Sequence, residues 1–310
     1  MTSIALITPV EGEIYQALQQ LRPVYYMPEC SKKTLNMLLR DSKPGVEIIF
    51  TNPNQQTFKL DKETLEGTKV KIICTASTGL NHIDMKYCEK NNIKVLSITR
   101  DSDTIEKISS TAEHAFALMM SLLRKIPSAF DSVKRGEWSW QPFVGRQMNF
   151  LTVGIVGYGR LGRMMARYCS YFGSKVLVCD PYSDYASKIE LKELFDKSNV
   201  VSLHVHVTDE TKHMIDESLF DNLETPVYLI NTSRGEIVDE KAVIAALENG
   251  KLLGYATDVL EDEFGNIKNS DLTKRQDLNI IITPHIAGMT KEARNIAYSA
   301  AVEKLKREIN

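Results

Sequence analysis

The stretch TVGIVGYGRLG at residues 152–162 decides the architecture. It opens as an apolar, β-branched strand, and Gly157, Gly159 and Gly162 follow at GxGxxG spacing. Residues 161–171 then carry a helical period, and a second apolar strand at 175–179 leads into Asp180, 18 residues beyond Gly162. Strand, glycine turn, helix, strand and acidic residue in this order make up the dinucleotide-binding fingerprint. The glycines permit a tight turn and close backbone approach, while the helix N-terminus turns amides and a positive dipole end toward a pyrophosphate. Asp180 is predicted to accept hydrogen bonds from both hydroxyls of the adenosine ribose. A ligand-free glycine turn and a solvated carboxylate are the alternatives, and the joint setting disfavours both. An aspartate repels a 2′-phosphate, and Pro181-Tyr182-Ser183-Asp184 holds no arginine to bind one, so NAD is predicted over NADP.

Outward from this stretch, short β-branched runs at 4–8, 46–51, 70–75, 93–98, 200–204, 227–230, 253–257 and 280–283 alternate with helical patterns such as 12–21, 31–40, 84–91 and 239–249. Such alternation predicts parallel sheets built from βαβ units. It breaks once, where a long helical pattern at 109–124 is followed by an irregular segment, 136–145, containing Trp138 and Trp140. Only one helical segment remains after His285, too little for a domain of its own. The predicted organisation is therefore a substrate domain made of 1–98 and 288–310 around a dinucleotide domain at 99–287.

Composition narrows the class. A chain of 310 residues, 43% hydrophobic and 25% charged, is long enough for two packed domains. A net charge of −2 gives no electrostatic reason to expect nucleic acid or an anionic membrane as partner. Five cysteines without a CxxC pair spell neither a disulfide framework nor a zinc knuckle, which suits a reducing cytoplasm. The N-terminal MTSIALITPVEGEIY reads as a first strand, not a leader, and the apolar run at 115–123 is too short to span a bilayer. A soluble cytoplasmic protein is expected.

Three polar clusters each follow an apolar strand: Asn231-Thr232-Ser233-Arg234-Gly235, Thr257-Asp258-Val259-Leu260-Glu261-Asp262-Glu263, and Thr283-Pro284-His285-Ile286-Ala287-Gly288. In a parallel sheet the carboxyl ends of strands share one edge, where ligands collect. Reduction of a 2-keto acid needs these three groups. Arg234 can grip a carboxylate bidentately and polarise the adjacent carbonyl. His285 can pass a proton to the carbonyl oxygen as hydride arrives, and Glu263 can hold the imidazolium and fix its tautomer. Singly, such an arginine is a surface ion pair and a Pro-His a turn; together they read as a catalytic set.

STG at 77–79 followed by Ile83-Asp84, AEHAFAL at 112–118, the glycine fingerprint, NTSRG, TDVLEDE and TPHIAG occur in that order. This set resembles the NAD-dependent, D-isomer-specific 2-hydroxyacid dehydrogenase family, from about residue 46 onward. The resemblance implies an α/β fold of two doubly wound parallel-sheet domains, a Rossmann dinucleotide domain inserted into a discontinuous flavodoxin-like substrate domain. The active site would lie in the cleft, in a homodimer joined through the dinucleotide domain. It implies Arg234, Glu263 and His285 in the roles above, with the Thr78 and Gly79 amides also on the substrate carboxylate. Cofactor contacts would come from Gly157, Tyr158, Gly159, Arg160, Leu161, Gly162, Asp180, His206, Thr232, Asp258 and Gly288, with Asp258 on the nicotinamide carboxamide. No metal is expected.

Departures from the family pattern bear on particular residues. His206 stands where the family has proline; with His204 it makes a pair whose alternative reading is a metal site. Phe264 replaces a proline after Glu263, and Asn149-Phe150-Leu151 replaces a glycine-lysine. The apolar residues at 118–123 are expected in the core or a dimer interface, and Trp138 and Trp140 across a dimer. His82 and His114 are expected to pack or cap, and His213 to be a solvated helix residue.

Substrate identity is expected to come from the first domain. Its loop Thr51-Asn52-Pro53-Asn54-Gln55-Gln56 is polar and neutral, where phosphoglycerate-specific relatives carry arginine. With no regulatory domain after residue 310, the expectation is a small unphosphorylated acid such as glyoxylate or hydroxypyruvate, with Lys32, Lys33 or Arg100 as candidates to reach a phosphate. Rival readings are a non-catalytic NAD-sensing regulator of the same fold and a phosphite or 3-phosphoglycerate dehydrogenase; formate is disfavoured by Glu263.

Overall fold

Strand β1 (Ser3–Leu6) shows how the first sheet is built, because alternate residues of a strand face opposite sides. Ile4 and Leu6 enter one apolar cluster, while Ala5 and the following Ile7 enter another. A sheet buried on both faces needs such unbroken apolar runs and helices on each side. The computed structural model describes residues 2–53, 58–184, 189–263, 267 and 270–309. The chain divides into two units, Met1–Ile108 with Met289–Asn310, and Ser109–Gly288.

In the first unit β1 is followed by α1 (Gly12–Leu21), β2 (Val24–Tyr26), α2 (Lys32–Asp41), β3 (Val46–Thr51), α3 (Lys62–Leu65), β4 (Ile72–Thr75), α4 (Met85–Lys90), β5 (Lys94–Leu96) and α5 (Ser102–Ile105). The strands form a parallel sheet in the order β2-β1-β3-β4-β5. Side-chain caps start several of the helices: Ser31 accepts from the Thr34 amide, and Asp84 from the Tyr87 amide.

The second unit begins with α6 (Ser110–Leu123) and α7 (Ile126–Lys134), separated by Lys125 at φ +51° and Pro127 in the first turn of α7. Then come β6 (Thr152–Val156), α8 (Arg160–Tyr171), β7 (Lys175–Cys179), α9 (Leu191–Lys197), β8 (Val200–Leu203), α10 (Glu217–Asp221), β9 (Val227–Asn231), α11 (Glu240–Glu248), β10 (Leu252–Thr257), α12 (Asp271–Lys274) and β11 (Ile280–Ile282). These strands are parallel in the order β11-β10-β9-β8-β6-β7. Val153, Ile155, Val200 and Ile230 face α6 and α8; Val156, Val201, Leu203 and Leu229 face α9, α10 and α11. Leu118, Met119, Leu122 and Leu123 of α6 are core residues of this unit. The last helix, α13 (Lys291–Ile309), returns to the first unit, where Ala297, Tyr298, Ala301, Val302 and Leu305 join Ile4, Leu6 and Phe50.

Three differences from the sequence reading have physical causes. The first unit continues to Ile108 and the second keeps Gly288, whereas the predicted boundaries were 98/99 and 287/288. Ile98, Ile105 and Ile108 pack with α13, which ties 99–108 to the first sheet. Strand β2 escaped prediction because it is a three-residue edge strand after Pro23. Helix α7 lies between the helical pattern at 109–124 and the irregular segment at 136–145 and was assigned to neither; its apolar residues Ile126, Phe130 and Val133 are exposed and enter neither core cluster of the unit. No helix among the described residues is long and apolar enough to cross a membrane.

If α13 is part of the first core, Leu305→Ala, at a fully buried position, should cost about 2–5 kcal/mol in stability. Thermal unfolding of the full chain checks this.

Candidate active site

Strand β6 has β7 on one side and β8 on the other, so the chain reverses its direction of travel across the sheet at this strand. A crevice opens at such a switch point, outside the carboxyl ends of the strands. The glycine turn sits there. Gly157 takes φ +88°, and its amide bonds the Cys179 carbonyl at 2.8 Å. A Cβ at Gly157 would collide with the His204 carbonyl after β8, so the two loops touch backbone to backbone. Gly159 is different: it is exposed, and a Cβ there would meet nothing within 4 Å. Nothing among the described residues demands a glycine at this point, but its missing side chain clears the space in front of the α8 N-terminus, where Gly159 supplies no side-chain cap.

Asp180 stands at the end of β7 and closes the crevice. Its Oδ2 accepts the Tyr158 amide at 2.6 Å and its Oδ1 the Tyr182 amide at 2.9 Å. Thr232, 6% exposed after β9, has a buried Oγ1 with no partner among the described residues. A cleared helix N-terminus, an acidic strand end and an unsatisfied hydroxyl on one edge fit a dinucleotide. His206 is exposed, and its carbonyl accepts from Thr211 Oγ1 at 2.6 Å. Strand β8 ends at Leu203, so the alternation that would set His204 and His206 on one face does not reach them. Among the described residues no cluster of His, Cys, Asp or Glu could hold a metal.

The three predicted polar clusters are held together by backbone. After β9, Asn231 donates from Nδ2 to the Arg234 carbonyl at 2.9 Å and accepts the Ser233 amide at 3.0 Å, which curls the arginine turn. The Asn231 carbonyl accepts the Asp258 amide at 3.0 Å. A Cβ at Gly235 would collide with the Leu260–Glu261 backbone, so only glycine lets the arginine turn lie on the β10 loop. Arg234 Nη1 donates to the Ser233 carbonyl at 2.6 Å.

Asp258 is 1% exposed. Its Oδ1 accepts Thr283 Oγ1 at 2.5 Å and the Ile286 amide at 2.9 Å; its Oδ2 accepts the Ala287 amide at 2.7 Å, and its carbonyl the His285 amide at 2.9 Å. His285 adopts φ +54°, a left-handed conformation that costs a non-glycine residue roughly 1 kcal/mol. That turn lets successive amides converge on one carboxylate, a backbone nest whose charge-assisted bonds offset the strain. Asp258 is thus committed to the His285 loop, beyond the single contact expected of it. His285 Nδ1 meets Glu263 Oε2 at 2.9 Å, with side-chain exposures of 24% and 16%. A carboxylate only accepts, so Nδ1 carries the proton and the tautomer is set. Gly288 ends this loop, half-buried.

In the first unit the Thr78 and Gly79 carbonyls accept from Thr99 Oγ1 at 2.8 Å and Ser77 Oγ at 2.6 Å, while their amides have no partner among the described residues. His82 is fully buried against Thr75 at 3.0 Å, a packing role. Residues 54–56 of the expected specificity loop, and Phe264, lie outside the described residues.

Several connecting residues had weak sequence signals. Asn231 and Thr283 were visible only as polar residues at strand ends. His213, expected on a helix, takes φ +50° outside any helix and bonds Glu261 at 2.7 Å. His204 bonds Ser202 at 2.9 Å while its Nδ1 is buried, and desolvation pushes the imidazole down from 6.5 to about 4. The fold therefore holds the neutral ring, and this stability is present above about pH 6.5 and lost as pH falls through about 4. Between those limits His204→Gln should lose about 2 kcal/mol less stability than wild type, read from thermal unfolding across the range.

The family described as D-isomer specific 2-hydroxyacid dehydrogenase, NAD binding domain, matches residues 116–287. A D-3-phosphoglycerate dehydrogenase of Archaeoglobus fulgidus is 37% identical over 244 residues, covering 76% of this chain and 45% of that protein. The chain thus spans under half the length of that relative. A glyoxylate reductase of Thermococcus litoralis is 36% identical over 253 residues, covering 77% of this chain and 74% of the relative. Among solved structures, a D-lactate dehydrogenase of Aquifex aeolicus complexed with NAD and lactic acid superposes with a TM-score of 0.82 at 32% identity, covering 99% of this chain and 95% of that one. With the dinucleotide crevice, the Arg234 turn and the His285–Glu263 pair on one sheet edge, these matches establish that the chain belongs to the D-isomer specific 2-hydroxyacid dehydrogenase family and carries its NAD-binding domain.

Proposed function

We propose that the protein is an NAD-dependent oxidoreductase that interconverts a small 2-keto acid and its D-2-hydroxy acid. The observation that carries this reading is the 2.9 Å His285–Glu263 pair, on loops that follow strands of the dinucleotide-binding sheet. NAD, when bound, supplies or accepts the hydride. The Gly157–Gly162 turn would hold its pyrophosphate, Asp180 its ribose, and Thr232 and Asp258 its nicotinamide end. Arg234 would bind the substrate carboxylate through its guanidinium fork and polarise the carbonyl. Because Nδ1 is committed to Glu263, His285 Nε2 is the nitrogen that gives the carbonyl oxygen its proton in reduction and takes it back in oxidation. The first unit would serve substrate, with the Thr78 and Gly79 amides as carboxylate donors.

A glyoxylate- or hydroxypyruvate-type acid is the favoured substrate. Asn52 and Pro53, the described part of the loop after β3, carry no charge, and Asn52 spends its Nδ2 on the Ala76 carbonyl at 3.2 Å. The phosphoglycerate dehydrogenases among the relatives keep 3-phosphoglycerate as the second reading. A homodimer is supported by Ile126, Phe130 and Val133 at helical spacing on α7, 52%, 60% and 51% exposed, beside Trp138 and Trp140, 91% and 74% exposed. Five free cysteines support a reducing, cytoplasmic location.

His285→Ala should abolish turnover while NADH affinity, followed by fluorescence titration, changes little; unchanged turnover would refute the assignment. Arg234→Lys should lower kcat/KM by about 10- to 100-fold, mainly through KM, because a point charge replaces a bidentate fork. A spectrophotometric panel of keto acids with NADH and NADPH tests the substrate class. NADH binding without turnover of any acid would favour a non-catalytic sensor. Sedimentation of the wild type against Phe130→Asp tests the dimer.

A further inference from the structure

Neither His114 nor Thr283 has a part in the chemistry proposed above, yet both lie against the group that shapes the His285 loop. His114 Nε2 is 2.9 Å from Thr283 Oγ1, which is 2.5 Å from Asp258 Oδ1; His114 Nε2 and Asp258 Oδ1 are 3.6 Å apart. The protons can be assigned. Asp258 already accepts two backbone amides, so the single proton of the Thr283 hydroxyl points to its carboxylate. The Thr283 oxygen is then an acceptor for His114, and His114 Nε2 carries a proton in either charge state of the ring.

We propose that His114, acting through the Thr283 hydroxyl, is a positioning residue that fixes the Asp258 carboxylate and thereby the 285–287 backbone carrying the proton-transferring imidazole. The consequence for turnover rests on the oxidoreductase reading of His285; the His114–Thr283–Asp258 relay does not. Without the hydroxyl, Oδ1 keeps only the Ile286 amide, and the carboxylate is drawn toward His114 and out of register with the Ala287 amide. Proton transfer depends steeply on where the imidazole sits, whereas Arg234 grips substrate from a different turn. The step most affected is therefore chemistry, not substrate capture.

Thr283→Val and His114→Ala should each lower kcat by about 10- to 100-fold with keto-acid KM held within about threefold. The double variant should fall no further than the worse single one, because both break one relay. Thr283→Ser, which restores the hydroxyl, should return kcat to within about threefold of wild type, as loss of a methyl group alone would not. Nitrogen-15 spectra of the wild-type chain should show His114 protonated at Nε2, and this signal should change in Thr283→Val whether or not any substrate turns over. An Nδ1–H tautomer at His114, or a Thr283→Val enzyme with kcat within twofold of wild type, would overturn the proposal. Absence of turnover in wild type with the Nε2–H signature intact would refute the enzymatic reading and leave the relay standing.

Discussion

The buried carboxylate of Asp258 is the constraint around which the site is arranged. It sits 1% exposed just past the end of β10. An unsatisfied charge there would cost several kcal/mol, so donors must converge on it. The chain meets that demand by turning His285 left-handed and sending the 285–287 amides toward one residue, with the Thr283 hydroxyl completing the set. The imidazole is thereby presented on a loop whose backbone is committed elsewhere, and Glu263 needs only to orient the ring. One carboxylate shapes the main chain and another the side chain.

The parallel sheet makes this economy possible. Every strand of the second unit ends on the same edge, so residues spread from Gly157 to Gly288 meet without long loops. The reversal at β6 adds a crevice beside a helix N-terminus cleared of side chains at Gly159. A net charge of −2 gives no overall attraction for an anion; on the proposed reading the attraction is local, in the Arg234 guanidinium and the α8 amides.

Legibility followed from how local each signal is. The glycine turn and Asp180 could be placed because their spacing is imposed by one βαβ unit, and Arg234, Glu263 and His285 could be nominated because each lies in a polar cluster that follows an apolar strand run. Strand β2 was not readable, since three residues after a proline hold their place only by pairing with β1. The boundary at 108/109 depended on isoleucines that pack against a helix almost 200 residues later in the chain. His114 looked like one more polar residue on an apolar helix, because its partner Thr283 lies 169 residues away.

The sequence by itself determined the βαβ order and the dinucleotide turn, and nominated an arginine, a carboxylate and a histidine as candidates, because spacing along one chain carries helix and strand periodicity directly. Only the tertiary structure decided which carboxylate does what. Glu263 and Asp258 lie five residues apart in one loop and are chemically alike. One meets the His285 ring and the other its backbone, because backbone hydrogen bonds between adjacent strand ends, not distance along the chain, set which atoms come within 3 Å of each other.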